Sequence, residues 1–134
     1  MKAQASKSKT IRDVMTPQPH TIGRDIPIDT ALNKMNEYRV RHLPVLHGGH
    51  LVGMVSDRDL KLVIALETKE PFTVEDVMND EPYAVRPETP ISEVVATMAE
   101  KRLGSAIIQG AHGEILGIFT SVDGLKLLAQ QLGA

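Results

Sequence analysis

The sequence predicts an α/β (α+β) fold made of two β-α-β-β-α repeats, because short strands and amphipathic helices recur twice in one order. The segment IRDVMT at Ile11 returns as VEDVMN at Val74, 63 positions later, and further matched residues keep this offset. The offset becomes 64 after a Gly-containing turn, so the single gap lies in a turn. A tandem repeat explains these matches better than chance does.

The repeat divides the chain into four predicted segments. Residues 1–9 form a polar tail, residues 10–66 the first repeat, residues 67–72 a polar linker and residues 73–132 the second repeat. A repeat of this length buries too little surface to be stable alone. We therefore expect the two sheets to pack together.

Within each repeat the elements follow one order. A short DVM turn and a Pro-containing connector lead to an extended piece, HTI or YAV, and then to a helix with Asp29 or Ser92 as the predicted N-cap. The residues predicted for the buried face of this helix are Ala31, Leu32 and Met35 in the first repeat and Val94, Val95 and Met98 in the second. Two strands follow, HLPVL with LVGMV or SAIIQ with ILGIF, and a second helix ends the repeat.

The composition excludes several classes of function. The formal net charge is −2 and only 3% of the residues are aromatic, so we expect no nucleic-acid surface. The chain has no cysteine, which excludes thiolate chemistry and suits a cytoplasmic protein. No apolar run approaches the roughly 20 residues that span a bilayer, and the phosphate-loop, dinucleotide and nucleophile-elbow motifs are missing. We expect neither a membrane protein nor an enzyme.

Two motifs of one pattern, GMVSDRDL and GIFTSVDG, raise the functional question. Each holds a glycine, two apolar residues, a hydroxyl residue and, three positions later, an aspartate, at a predicted strand-to-helix turn. Taken singly, Ser56 with Asp59 and Thr120 with Asp123 are most simply helix caps. A capping box prefers Glu or Gln in the fourth place, however, since Asp reaches back less well. The duplicated motif therefore also fits a ligand site, and both interpretations stay open.

A carboxylate beside a hydroxyl suits the sugar of a nucleotide. It repels phosphate but accepts two hydrogen bonds from a vicinal diol, as acidic residues do with ribose. Phosphate needs cations, and the first repeat supplies Arg41, His42 and Arg58 near its predicted strand ends. Arg39 and Lys61 are more typical of solvated helix ends.

The ordered set of motifs is similar to a known family, the paired CBS domains, regulatory modules named after cystathionine β-synthase. The resemblance runs from about Ile11 to Leu132 and includes DVMT, RHLPVLHGGHLVGMVSDRDL and GSAIIQGAHGEILGIFTSVDG. It implies two intertwined halves with a pseudo-two-fold axis, and clefts between the repeats that take adenosine-containing ligands. It also implies a homodimer, in which two pairs form a disc of four CBS repeats.

The resemblance assigns roles to individual residues. The ribose is expected at Ser56, Asp59, Thr120 and Asp123. The phosphates are expected at Arg41, His42, Arg58 and Ser121. The adenine is expected near Thr16, Pro19, Thr21, Ile22, Ala84 and Val85. Where the first repeat has its three cations, the second has Gly104, Ser105 and Val122, so the two sites are expected to be unequal.

The expected function is that of a non-enzymatic sensor without a catalytic cofactor. It would bind AMP, ADP, ATP or S-adenosylmethionine and signal to a partner protein that the sequence does not name. Two alternatives stay open: a ligand-free scaffold for dimerisation or protein interaction, and a metal-binding module that uses His47, His50 and His112. The sequence also leaves open which aspartate shares a site with Arg41.

Overall fold

The computed structural model describes residues 9–66 and 69–134. Most of the predicted tail (1–8) and two residues of the predicted linker (67 and 68) lie outside the described residues. The strands are β1 (Thr16–Pro17), β2 (Ile22–Gly23), β3 (His42–His47), β4 (His50–Ser56), β5 (Ala84–Val85), β6 (Ser105–Gln109) and β7 (Ile115–Thr120). The helices are α1 (Ile28–Tyr38), α2 (Asp57–Ala65), α3 (Val74–Val77), α4 (Ile91–Lys101) and α5 (Ser121–Gln131), with a 3₁₀ turn at Ile11–Asp13. These elements form two sheets and confirm the mixed α/β fold class.

One compact unit, the central unit, comprises Pro19–Pro82. Its sheet has the strand order β2-β3-β4, with β2 parallel to β3 and β3 antiparallel to β4. Helices α1 and α2 pack against each other beside this sheet. The core of the unit combines residues of the sheet and of all three helices, namely Ile22, Ile28, Ala31, Met35, Leu43, Val45, Val55, Leu60 and Val74.

The second compact unit, the terminal unit, comprises residues 9–18 and Tyr83–Ala134. Its sheet has the order β1-β7-β6-β5, in which only the β5–β6 pair is parallel. Its core consists of Ile11, Val94, Met98, Ala106, Ile108 and Phe119. Both units therefore contain the predicted β-α-β-β-α order, as β2-α1-β3-β4-α2 and as β5-α4-β6-β7-α5.

Each unit is completed by a segment of the other predicted repeat. The DVM segment at Val74 belongs to the central unit and the one at Ile11 to the terminal unit. A compact unit therefore combines most of one sequence repeat with a short segment of the other. The predicted boundaries describe repeats of the sequence, and for these they stay a prediction.

The glycine that both motifs share lets the exchanged segment pack closely against its strand. A Cβ atom on Gly53 would lie 2.6 Å from Met78 Sδ and 2.8 Å from the carbonyl oxygen of Asn79. In the terminal unit, a Cβ atom on Gly117 would lie 2.9 Å from the carbonyl oxygen of Thr16. Only glycine lets the exchanged segment approach its strand this closely.

Two predictions about the helices are wrong. Helices α1 and α4 begin two residues earlier than expected, with Pro27 and Pro90 as N-caps instead of Asp29 and Ser92. The first helical N–H of α1 donates to the carbonyl of Phe72, and that of α4 donates to the carbonyl of Lys9, so contacts distant in sequence fix the helix start.

The other correction concerns the face of α4. Val95 is 36% exposed, whereas Val94 and Met98 are buried as predicted. No helix among residues 9–66 and 69–134 has the length and apolar character needed to cross a bilayer.

Candidate functional site

The motif of the central unit lies at the junction of β4 and α2. Ser56 ends the strand in an extended conformation, and its Oγ accepts a hydrogen bond of 3.2 Å from the N–H of Asp59. Ser56 is thus an N-cap, as the simpler interpretation of the motif predicts. The hydroxyl proton is not used in this bond, because Ser56 acts as the acceptor.

The carboxylate of Asp59 has no hydrogen-bond or ion-pair partner among the residues that the structure describes. Its neighbour Asp57 differs, because its Oδ2 lies 3.6 Å from Lys61 Nζ in an i,i+4 ion pair. The spacing of that pair is visible in the sequence. At the start of α2 one carboxylate, that of Asp59, is therefore without a side-chain partner in the described part of the chain.

Basic residues lie at the same end of α2. The carbonyl of Arg41 accepts a 2.9 Å hydrogen bond from the N–H of Asp57, and His42 is the strand partner of Ser56. Arg58 is the second residue of the helix, and its side chain is exposed, like that of Arg41. Within the central unit, Arg41 is thus joined through its backbone to the first residue of the helix that carries Asp59.

Burial lowers the pKa of His42 below its usual value. The negative charges of Asp57 and Asp59 oppose this shift, while the nearby positive charge of Arg41 adds to it. His42 is half-buried, and this burial favours its neutral form over the imidazolium.

The motif of the terminal unit is closed, in the sense that its hydroxyl residue and its aspartate are hydrogen-bonded to each other. The backbone N–H of Thr120 donates to Asp123 Oδ2 at 2.9 Å, and its hydroxyl donates to the same oxygen at 3.1 Å. The N–H of Asp123 donates back to Thr120 Oγ1 at 3.4 Å. The expectation that Asp reaches back poorly is therefore wrong, because here the shorter side chain completes a full capping box.

The surroundings of the terminal motif carry no basic side chain at the matched positions. The N–H of Ser121 donates to the carbonyl of Gly104 at 3.0 Å, and the buried Ser105 is the strand partner of Thr120. Gly104 and Ser105 occupy the positions that Arg41 and His42 hold in the central unit. Val122, which replaces Arg58, is exposed.

The residues expected near the adenine separate into the two units. Pro19, Thr21 and Ile22 lie in the central unit, and Thr16, Ala84 and Val85 lie in the terminal unit. Ile22 is 5% exposed and belongs to the central core, so its side chain is packed inside the unit.

Two of the predicted connectors lie along the motif strands. Asn79 exchanges two backbone hydrogen bonds of 2.9 Å with Met54 of β4. Thr16 is paired with Ile118 of β7. Each unit therefore brings a connector from the other repeat to the strand that carries its motif.

The three histidines of the metal hypothesis do not share a unit. His47 and His50 are strand partners beside a Gly-Gly turn of the central unit, and His112 belongs to the terminal unit. The N–H of His112 donates to Glu114 Oε1, and hydrogen bonds from the backbone N–H groups of Glu114 and His112 lower the pKa of the Glu114 carboxyl. The described part of the chain contains no group of three or more His, Asp or Glu side chains arranged to hold a metal ion.

Comparison with known sequences gives consistent results. A CBS domain-containing protein of Dictyostelium discoideum is 27% identical over 134 residues, which cover 91% of this chain and 92% of that protein. An inosine-5'-monophosphate dehydrogenase of Korarchaeum cryptofilum is 30% identical over 118 residues and 88% of this chain. This chain spans only 23% of the length of that enzyme.

Two solved structures have the same fold. The structure of CBSX2 in complex with AMP is 28% identical, with a TM-score of 0.78 and coverage of 91% of this chain and 97% of that chain. The CBS domain pair of MJ0100, in complex with 5'-methylthioadenosine and S-adenosyl-L-methionine, is 22% identical, with a TM-score of 0.83 and coverage of 92% and 98%. The family model of the CBS domain matches residues 11–66 and 74–130. The chain thus belongs to the CBS domain family and carries two CBS domains in tandem.

Proposed function

We propose that the central unit binds an adenosine-containing ligand at the start of α2 and that the protein is a non-enzymatic regulatory module. The observation that carries this proposal is the unpartnered carboxylate of Asp59, which follows the capping residue Ser56 at the N-terminal end of α2, where three basic residues also lie. CBS-domain pairs are regulatory modules, which favours a sensor over a catalyst. The ligand would change the signal that the module passes to a partner protein.

The ribose fits the pair Ser56 and Asp59. A carboxylate without protein partners can accept hydrogen bonds from both hydroxyls of a vicinal diol. Ser56 Oγ already accepts the N–H of Asp59, so its own proton is free to be donated to a ribose oxygen. Asp59 therefore offers acceptors and Ser56 offers a donor to the ribose hydroxyls, and the hydrogen bond that caps the helix is kept.

The phosphate fits the cations at the same helix end. Arg41 and Arg58 are exposed and have no ion-pair partner in the described part of the chain. A phosphate near His42 would raise the pKa that burial lowers, so that His42 could become a third charged donor. The helix N-terminus adds a favourable potential for an anion.

The terminal unit should bind the same ligand weakly or not at all. Its aspartate is engaged by Thr120, and the predicted phosphate contact of Ser121 is a single exposed hydroxyl without a basic neighbour at the matched positions. A ribose could bind there only if the capping box of Asp123 opened. The module would then have one working site for each chain.

The relatives support an adenosine ligand. CBSX2, which is 28% identical to this chain, was solved with AMP. We therefore place AMP first, followed by ADP, ATP and S-adenosylmethionine. A screen of these four ligands by thermal shift would rank them, because a ligand that binds only the folded state raises the melting temperature.

The ribose assignment can be tested with a matched pair of variants. Asp59→Asn removes the open charge with little change of size, and we expect AMP affinity in calorimetry to fall at least about tenfold, since hydrogen bonds to charged groups are strong. Asp123→Asn is the control, and it should leave the affinity unchanged while lowering the melting temperature. Equal affinity in the wild type and Asp59→Asn would contradict the proposed site.

We also propose that the protein forms a homodimer, for which the exposed helices give a specific reason. Helix α5 has no buried residue, yet the helix and its C-cap residue carry apolar side chains that are at least half exposed, namely Val122, Leu125, Leu128 and Leu132. In the terminal unit this helix and α4 border an apolar groove of about 1050 Å³ that includes Val95. Such a surface favours association with a second copy.

A mass measurement tests the dimer, and together with the ligand screen it also tests the alternative of a ligand-free scaffold. Light scattering should give twice the chain mass for the wild type and a monomer mass for Leu125→Glu combined with Leu128→Glu. A monomeric wild type would rule out the dimer. A dimer that binds none of the four ligands would favour the ligand-free scaffold.

A further inference from the structure

Two rings are stacked on the surface of the central unit. The centroids of His20 and Tyr38 are 3.8 Å apart and the ring planes differ by 5°. Lys34 Nζ lies 5.9 Å from the centroid of Tyr38, within reach of a cation–π interaction. Both residues of the stack are exposed, and Tyr38 is 38% accessible. Tyr38 thus contacts both His20 and Lys34, while both rings of the stack stay exposed to solvent.

The sheet places this stack at the same end as the proposed ribose site. Ile22 is the parallel partner of Val45, so the chain runs back from Ile22 to His20 alongside the beginning of β3. That strand begins at His42, whose antiparallel partner is Ser56. Tyr38 ends α1 only three residues before Arg41. The rings, the basic residues and the motif hydroxyl therefore lie toward the same end of the central sheet.

We propose that the ring of His20 is a stacking surface for the purine base and that Tyr38 is a positioning residue that holds this ring. The inference rests on the proposed function, because it needs the ribose at Ser56 and Asp59. His20 directly precedes Thr21, one of the residues expected near the adenine. A ring already held by a parallel neighbour loses little rotational freedom when a base stacks on it.

The terminal unit has no equivalent of the stack. The residues 63 positions after His20 and Tyr38 are Tyr83 and Lys101. The ring of Tyr83 packs against the terminal core, and Lys101 is an exposed lysine. The stacking surface therefore belongs to the unit that also has the open carboxylate.

The test compares two ligands on variants of His20 by calorimetry. His20→Ala should bind AMP roughly tenfold more weakly than the wild type, whereas His20→Phe should keep most of the affinity, since stacking on a base tolerates any aromatic ring. Ribose 5-phosphate, which lacks the base, should bind the wild type and both variants equally. Tyr38→Ala should weaken AMP binding less than His20→Ala, and Tyr38→Phe should behave as the wild type.

A second measurement reports the stacking itself. On addition of AMP, the imidazole proton resonances of His20 should shift upfield because of the purine ring current, and ribose 5-phosphate should produce no such shift. Equal AMP affinity of the wild type and His20→Ala would overturn the stacking proposal, while a loss in Asp59→Asn would still support the ribose site. If no adenosine ligand binds to the wild type, both proposals fail.

Discussion

In the central unit the carboxylate of Asp59 has no hydrogen-bond partner in the described part of the chain, whereas in the terminal unit the carboxylate of Asp123 accepts two hydrogen bonds from Thr120. The two motifs share one sequence pattern, and both hydroxyls cap a helix. Only one aspartate is left for another task. A shared pattern therefore does not imply a shared hydrogen-bonding role, because only one of the two aspartates completes a capping box.

The comparison extends to two other turns. The carboxylate of Asp13 accepts hydrogen bonds from Thr10, and that of Asp76 accepts them from Thr73. All three closed turns begin with threonine, and the open one begins with serine. The branched Cβ of threonine restricts rotation about χ1, which holds the hydroxyl in one direction. We therefore expect the difference between Ser56 and Thr120 to contribute to the difference between the two turns.

The largest losses of stability should come from substituting the two motif glycines, and they should be equal in the two units. Each glycine allows the same close approach of an exchanged segment to its strand. Gly53→Ala and Gly117→Ala should each lower the free energy of unfolding by about 2–3 kcal/mol, since the added Cβ overlaps the exchanged segment. Urea denaturation measures this loss. Gly124→Ala is the control, because its Cβ would be 3.9 Å from the Phe119 ring, and a helical Ala should stabilise α5 by up to about 1 kcal/mol.

The two aspartates should differ in stability. Asp123→Ala removes a closed capping box and should cost about 1 kcal/mol of unfolding free energy. Asp59→Ala should cost less than half as much, because it removes only a favourable charge in the first turn of α2. Equal losses in urea denaturation would mean that the two motifs are not different in the folded protein.

Exchanging serine and threonine between the two motifs should also exchange the hydrogen bonding of their aspartates. Ser56→Thr should close the turn on Asp59, raise the unfolding free energy by roughly 0.5 kcal/mol and weaken AMP binding. Thr120→Ser is the reciprocal variant and should lower stability by a similar amount. If Ser56→Thr keeps the AMP affinity of the wild type, the choice between serine and threonine does not control the site.

The pH dependence of stability should come partly from the central unit. The folded state holds the pKa of His42 below its unfolded value, so the folded chain binds fewer protons than the unfolded chain in mildly acidic solution. The resulting stability is present above the unfolded pKa and is lost as the pH falls toward the folded pKa. His42→Gln should lose less stability than the wild type between pH 7.5 and 5.5 in thermal unfolding. An identical pH profile for both proteins would contradict this role.

The smallest effect concerns the ion pair between Asp57 and Lys61. Both groups are partly exposed, so Lys61→Ala should cost only about 0.3 kcal/mol, and the cost should shrink in high salt. Urea denaturation at two salt concentrations measures it. A salt-independent loss above about 1 kcal/mol would show that Lys61 has a packing role instead.

Much of the architecture was within reach of the sequence. The repeat predicted the order of the elements, and the strands SAIIQ and ILGIF agree with β6 and β7 to within one residue. Turn glycines and apolar spacing are local signals, which explains this agreement. The buried positions Ala31, Met35 and Val94 were predicted from helical spacing alone.

The errors lie where distant segments meet. Pro27 and Pro90 became N-caps because the first N–H of each helix bonds to a carbonyl far away in the sequence. Val95 is exposed because the buried face of α4 is narrower than its apolar spacing suggests. No local pattern contains these contacts.

By itself, the sequence determined the two repeats, the mixed α/β class and the pair of hydroxyl–aspartate motifs, since all of these depend on neighbouring residues. Only the tertiary structure decided that the DVM segments are exchanged, that His42 pairs with Ser56, and that Asp123 accepts hydrogen bonds from Thr120 while Asp59 has no side-chain partner among the described residues. The reason is physical: side-chain hydrogen bonds and close backbone approaches depend on positions in space, and the sequence pattern of the two motifs is the same.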